Sequence, residues 1–311
     1  MTCVAVTGAA GYIGGVLLPH LLSAPHVRRV VAIDRRPLSR TAPQLTYVRA
    51  DVRDPSIRDV LSGCDVLIHL AFIVQATHDL DRMYDINVRG STNVFRAAAD
   101  AGIHHIVNLS SYTVYGAWPD NPPYLTEEAP LRPVPGHHYA FHKVLAEAAA
   151  NEVAATHPHL RVTHLRGAVV VGPRCTNSLG KALREAPFLP VFWRAPSNLQ
   201  LIHEEDMARA IYAAVEQRIP GVFNIGGRGR LPWPEIVRTA GRRGIPLPAW
   251  LWLAVLRLAW TLHAPGTASP GELALLRYPL AVDWQKAQKH LHWSPRYTTR
   301  DAVLSLRGTS G

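Results

Sequence analysis

Thr7-Gly8-Ala9-Ala10-Gly11-Tyr12-Ile13-Gly14 decides the fold of this 311-residue chain. The residues before it, Val4–Thr7, read as a strand, and those after it, Tyr12–Leu22, read as a helix. Three glycines at spacing three and three suit a tight turn whose backbone touches a pyrophosphate. Such a turn aims the free N–H groups of the helix start at negative charge. Asp34 follows 20 residues after Gly14, at the end of a second strand-like run. An acid there is placed to hold the hydroxyls of an adenosine ribose. Asp34 favours NAD, because a carboxylate repels a 2′-phosphate. Arg35 or Arg36, turned inward, would instead accept NADP.

Outward from this turn the chain alternates strand and helix patterns. Strands are predicted at Val30–Asp34, Tyr47–Val52, Val66–Ala71, Ile106–Ser110 and Val162–Arg166. Helices are predicted at Ile57–Leu61, Met83–Ala101 and Tyr139–Thr156. The rhythm is α/β and implies a doubly wound parallel sheet covered on both faces, a Rossmann arrangement. After Pro173 prolines and tryptophans become frequent. Residues 1–172 are therefore read as the NAD(P)-binding domain, rejoined by 199–227 through strands at Gln200–His203 and Val222–Ile225. Residues 173–198 and 228–311 are read as a smaller substrate-binding lobe. Asp51-Val52, ending the third strand, would border the adenine.

Composition narrows the partners. Apolar residues make up 48% of the chain, enough for a packed core. The net charge is +10, but only four residues are lysine and the arginines are scattered. No basic stripe interleaved with aromatics marks a nucleic-acid surface. Cys3, Cys64 and Cys175 lie far apart and fit neither a disulfide framework nor a CxxC metal site, so a reducing, cytoplasmic setting is expected. The opening residues already read as a strand, so no secretory leader is expected. The 16 histidines offer adjacent pairs such as His104-His105, which point apart, so no metal is expected. The apolar run Ala249–Leu262 contains Arg257 and is too short to span a bilayer. It reads as a lobe core helix, a dimer contact or an interfacial contact.

Tyr139-Ala140-Phe141-His142-Lys143 opens the long helix. Residues i and i+4 share a helix face, so phenol and ammonium point the same way. A phenol ionises near pH ~10, and a neighbouring ammonium, together with the positive charge of an oxidised nicotinamide, is expected to lower that value and make it an acid/base at neutral pH. Ser110-Ser111 ends the fifth strand, at the carboxyl edge where ligands bind in such sheets. Its hydroxyl would face the same substrate oxygen.

With these residues in view, the chain resembles the extended short-chain dehydrogenases/reductases, the NAD-dependent epimerase/dehydratase family, along nearly its whole length. The turn matches TGxxGxxG. His69-Leu70-Ala71-Phe72, Asn87–Asn93, Ser110–Gly116, Tyr139–Lys143, Leu165–Pro173, Leu201–Ala208 and Phe223–Gly227 match further family segments. The resemblance implies a catalytic Ser111, Tyr139 and Lys143, with Lys143 also on the nicotinamide ribose. It implies Gly8, Gly11, Tyr12 and Ile13 at the pyrophosphate, Leu70-Ala71 along the middle of the cofactor, and Asn87 nearby. It also implies a homodimer paired through first-domain helices.

Departures speak to the substrate. Tyr112 and Thr113 stand where the family's dehydratases carry an acid pair. Val169 stands where nucleotide-sugar enzymes often carry asparagine, and Leu199 where epimerases tend to carry arginine. The function expected is therefore hydride transfer at a carbinol or ketone carbon of a small or medium substrate, apolar ones included. The rivals are a nucleotide-sugar epimerase and a regulatory protein that binds NAD(P) without turnover.

Overall fold

The computed structural model describes residues 2–193, 197–264 and 267–307. Its first strand, β1 (Thr2–Thr7), is buried at every position. Side chains alternate across a strand, so Val4 and Val6 join one core cluster while Cys3 and Ala5 join another on the opposite face. That is why the run reads as continuously apolar.

The chain continues through α1 (Tyr12–Leu22), β2 (Val27–Asp34), β3 (Leu45–Arg49), α2 (Ile57–Leu61), β4 (Val66–His69) and α3 (Leu80–Tyr84). A one-turn π-helix, Asp85–Gly90, joins α3 to α4 (Ser91–Asp100). Then come β5 (His105–Ser111), a short 3₁₀ turn Tyr112–Tyr115, α5 (His138–Thr156) and β6 (Arg161–Gly167). The second half holds β7 (Val169–Val171), α6 (Ser178–Glu185), β8 (Phe188–Phe192), β9 (Asn198–Leu199), β10 (Leu201–His203), α7 (Glu204–Gln217) and β11 (Gly221–Ile225). It ends with β12 (Leu231–Pro232), α8 (Trp233–Thr239), β13 (Arg243–Leu247), α9 (Ala249–Thr261), α10 (Gln285–Leu291) and α11 (Thr299–Leu304).

Seven strands form one sheet in the order β3-β2-β1-β4-β5-β6-β11, every neighbouring pair parallel. Helices α1 and α7 pack together on one face, α4 and α5 on the other. The order reverses between β1 and β4, and in doubly wound sheets that crevice is the ligand site.

The doubly wound sheet expected from the sequence is present, with two corrections. Gly221–Ile225 rejoins the sheet, but the Gln200–His203 run does not. Leu201–His203 pairs with Val169–Val171 in a separate parallel ladder. Ala168 still donates to Ile225, and beyond it the chain leaves the path of β6, so β10 follows it outward. The helix predicted at Met83–Ala101 is also interrupted by the π-turn.

The predicted lobe segments hold two small ladders, β8 with β13 and β9 with β12. Residues 194–196, 265–266 and 308–311 of those segments lie outside the described residues. Trp252 of α9 is buried and donates to the Ile245 carbonyl at 2.9 Å, whereas Trp250, Leu258 and Leu262 are exposed. Among the described residues no helix is long and apolar enough to cross a membrane, and no cluster of three metal-ligating side chains occurs. Cys3 and Cys64, distant in sequence, meet with sulfurs 3.1 Å apart, because β1 and β4 lie side by side in parallel register.

Candidate active site

The Thr7–Gly14 turn is built by contacts that leave no space for side chains. Gly8 has φ +71°, and a Cβ there would lie 2.6 Å from the Ala71 nitrogen. A Cβ on Gly14 would lie 2.4 Å from the Ala9 carbonyl oxygen. The backbone of Leu70-Ala71, past the end of β4, therefore presses directly on the turn. No side chain caps the start of α1 at Gly11. Free amides at a helix start, an open backbone cradle and a carboxylate at the end of β2 together fit a dinucleotide. Tyr12 contributes backbone alone to this cradle. Its hydroxyl turns away and donates to Glu204 at 2.6 Å, and burial pushes the phenol well above its ordinary value.

Asp34 accepts from the amides of Ala10, at 3.0 Å, and Arg36, at 2.9 Å. The inward arginine is Arg36, not Arg35. Arg36 donates to the Ala10 carbonyl at 3.0 Å and stands 3.6 Å from the Asp34 carboxylate. Arg35 instead pairs with Asp51 at 3.3 Å. Arg53 also grips Asp51, and its hydrogen bonds hold that carboxyl down at about 2. Val52 is buried under Gly90, and its carbonyl accepts from Asn93. Asn87 clamps the loop after β4, accepting from the Ile73 amide at 2.6 Å and donating to its carbonyl at 2.9 Å.

Ser111, Tyr139 and Lys143 are brought together from β5 and α5. Tyr139 shares a hydrogen bond with Ser111, and Ser111 accepts from the Thr113 hydroxyl at 2.8 Å. Lys143 is only 3% exposed. Its ammonium donates to the Leu109 carbonyl at 2.6 Å and lies 3.5 Å from the centre of the Phe72 ring. Phe72 in turn meets Tyr139 edge-on.

The expected lowering of the phenol by Lys143 does not occur. Burial pushes Tyr139 up to about 12, and the Ser111 hydrogen bond offsets only part of that. Burial also drives Lys143 down to about 7, against the pull of Glu147. The physical reason is distance and desolvation. The amine sits 5.7 Å from the Tyr139 ring centre, bound to a neutral carbonyl, and both groups have lost water.

Beneath them lies a buried ion pair that the sequence reading did not single out. Glu147 accepts from Arg166 at 3.0 and 2.7 Å and from Ser110 at 2.5 Å. Arg166 reaches on to the Tyr115 hydroxyl at 2.9 Å, and Tyr115 donates to Asn224 at 2.8 Å. These links tie α5, β5, β6 and β11 together under the site. Helical spacing was the available signal, since Glu147 lies four residues beyond Lys143.

A cavity of roughly 270 Å³ opens beside Tyr139. Its walls come from Thr77 and His78 in the loop after β4, His137 and His138 at the start of α5, and Trp260 and Glu272 from the C-terminal lobe. The His78 ring lies 3.9 Å from that of Trp260 and 3.9 Å from that of His263. No sequence signal joined these residues, because they meet across more than 180 positions.

Comparison with known proteins fits this geometry. The sequence profile of the NAD dependent epimerase/dehydratase family matches residues 4–226. An uncharacterized protein of Mycobacterium tuberculosis (strain ATCC 25618 / H37Rv) is 29% identical over 308 residues, covering 96% of this chain and 81% of that protein. A vaccinia virus (strain Copenhagen) 3 beta-hydroxysteroid dehydrogenase/Delta 5-->4-isomerase is 29% identical over 155 residues, 47% of this chain and 45% of its own length. Among solved structures, MoeE5 in complex with UDP-glucuronic acid and NAD superposes with a TM-score of 0.78 at 26% identity, covering 97% of this chain and 96% of that one. UDP-glucuronic acid 4-epimerase from Bacillus cereus, in complex with NAD, shares the fold with a TM-score of 0.74 at 20% identity, covering 97% and 96%.

Proposed function

The chain belongs to the NAD dependent epimerase/dehydratase family, and on that footing we propose that it moves a hydride at a carbinol or ketone carbon, with Tyr139 as acid/base. The observation that carries this reading is the meeting of Ser111, Tyr139 and Lys143 between β5 and α5, with Tyr139 lining a cavity and touching Phe72, the neighbour of the Ala71 that closes on Gly8. When bound, NAD supplies the hydride acceptor or, reduced, the donor. The chain's own residues handle the oxygen. Ser111 positions it by hydrogen bonding, and the Tyr139 hydroxyl gives it a proton in reduction or takes one in oxidation. With its phenol up at about 12, Tyr139 rests as a proton donor at neutral pH. Lys143, near 7, is poised to gain or lose charge as the site fills.

NAD is favoured over NADP, because a carboxylate, Asp34, ends β2 and pairs with Arg36. A two-part organisation, with residues from 173–198 and 228–311 shaping the substrate side, agrees with Trp260 and Glu272 lining the cavity. A homodimer belongs to the same reading, since Phe141 and Leu145 stand exposed one turn apart on α5. Three free thiols suit a reducing, cytoplasmic setting.

The rival reading, epimerisation of nucleotide sugars, draws support from the ligands of MoeE5. Against it, Leu199 is 1% exposed and Val169 packs on the same core, so neither position offers a polar group. The deciding experiment is Tyr139→Phe. Turnover should fall about 100- to 10,000-fold while NAD binding holds. Undiminished turnover would remove Tyr139 from the mechanism. Net growth of NADH absorbance with substrate would separate a dehydrogenase from an epimerase, which leaves no reduced cofactor behind.

A further inference from the structure

The cavity beside Tyr139 has a chemistry of its own. We propose that it takes a neutral alcohol or ketone with a flat apolar ring, and that Trp260 and His78 are its specificity determinants. The proposal rests on Tyr139 being the acid/base.

Four observations carry it. First, no arginine or lysine lines the cavity among the described residues, whereas an acid, Glu272, does. The diphosphate of a sugar nucleotide would be desolvated beside a carboxyl group with no countercharge. Second, the one fully enclosed histidine of the lining, His137, is held neutral at neutral pH, since burial drives it down to about 4. Third, the far wall is aromatic and held in place. The His78 ring is sandwiched between Trp260 and His263, and Trp260 is half-buried. Flat rings prefer such surfaces, in stacked or edge-on contact. Fourth, roughly 270 Å³ lies below the range of pockets for drug-sized ligands. It suits a compact ring system rather than a nucleotide joined to a sugar.

The test uses the full chain loaded with NAD⁺ and titrated calorimetrically with 1-indanone, a pairing that cannot react. UDP-glucose is titrated separately. Indanone should bind, with UDP-glucose at least about tenfold weaker. Trp260→Ala should weaken indanone about tenfold, Trp260→Phe should recover most of that loss, and His78→Ala should cost a few-fold. The proposal is overturned by any one of three results: UDP-glucose binding as tightly as indanone, Trp260→Ala leaving indanone unchanged, or no indanone binding up to the millimolar range. Failure of the underlying reading looks different. If Tyr139→Phe still forms NADH from any alcohol that the wild type oxidises, the acid/base assignment falls whatever the calorimetry shows.

Discussion

The glycine turn and the cavity wall are made in opposite ways. The turn is backbone: Gly8 and Gly14 have no room for a Cβ, and the strand end at Leu70-Ala71 closes against them. The wall is side chain: His78 and Trp260 come from segments with no sequence relation and meet through their rings. A backbone site must recur in every chain that uses it. A side-chain site can be rebuilt residue by residue, and it is where two chains of one fold come to differ in substrate.

The largest test would break this comparison, because it strikes at α5, which carries Tyr139. Arg166→Met strands the buried Glu147 carboxylate and loosens α5, which carries Tyr139 and Lys143. The expected loss of stability is about 3–5 kcal/mol, read from urea unfolding. A loss under ~1 kcal/mol would mean the pair is dispensable.

The next test sharpens it. Gly8→Ala places a methyl against backbone at a positive φ, a strain of about 1–3 kcal/mol. NAD affinity should fall about 10- to 100-fold. The cavity wall is untouched, so its ligand preferences should persist in whatever NAD-loaded fraction remains.

A smaller effect concerns the lysine between the two halves. Folding brings Lys143 down to about 7, while in the unfolded chain it titrates near ~10.4. Between those values the unfolded chain holds a proton that the folded one has released, so stability rises with pH across the window. Lys143→Met removes this contribution. The Tm of the wild type relative to the variant should therefore climb from about pH 7 towards pH 10, and a flat difference would place the amine's pKa elsewhere.

The smallest effect lies at the rim of the cradle. Asp34→Ala frees the exposed Arg36 from its carboxylate, and NADP should gain on NAD by a few-fold in kcat/KM. No change in that ratio would show that Arg36 does not reach the ribose.

The same contrast explains what could be read in advance. The strand-turn-helix of Thr2–Leu22 was legible because local geometry dictates its residues, and α1 and α2 fall where periodicity placed them. The run ending at His203 was misplaced because a short buried strand around Leu201 and Ile202 looks alike in the main sheet and in a satellite ladder. Arg36 could not be told from Arg35 because the choice depends on where Asp51 comes to rest. The Tyr139–Lys143 spacing put both groups on one helix face, but their proton affinities depend on burial supplied by Phe72 and β5. The cavity wall left no trace, since nothing in local sequence couples residue 78 to residue 260.

The π-turn Asp85–Gly90 shows how finely this architecture depends on counting. It holds one residue more than an α-helix would use over that span. With that extra residue, Asn87 clamps Ile73, and Ser91 binds both the Asn87 carbonyl and His69, which in turn meets Thr7 at the mouth of the nucleotide turn. One residue advances a helix by about 100°. A single-codon deletion here would leave composition and hydropathy almost unchanged, yet rotate one side of the clamp relative to the other. The residue count of this segment is therefore part of the site.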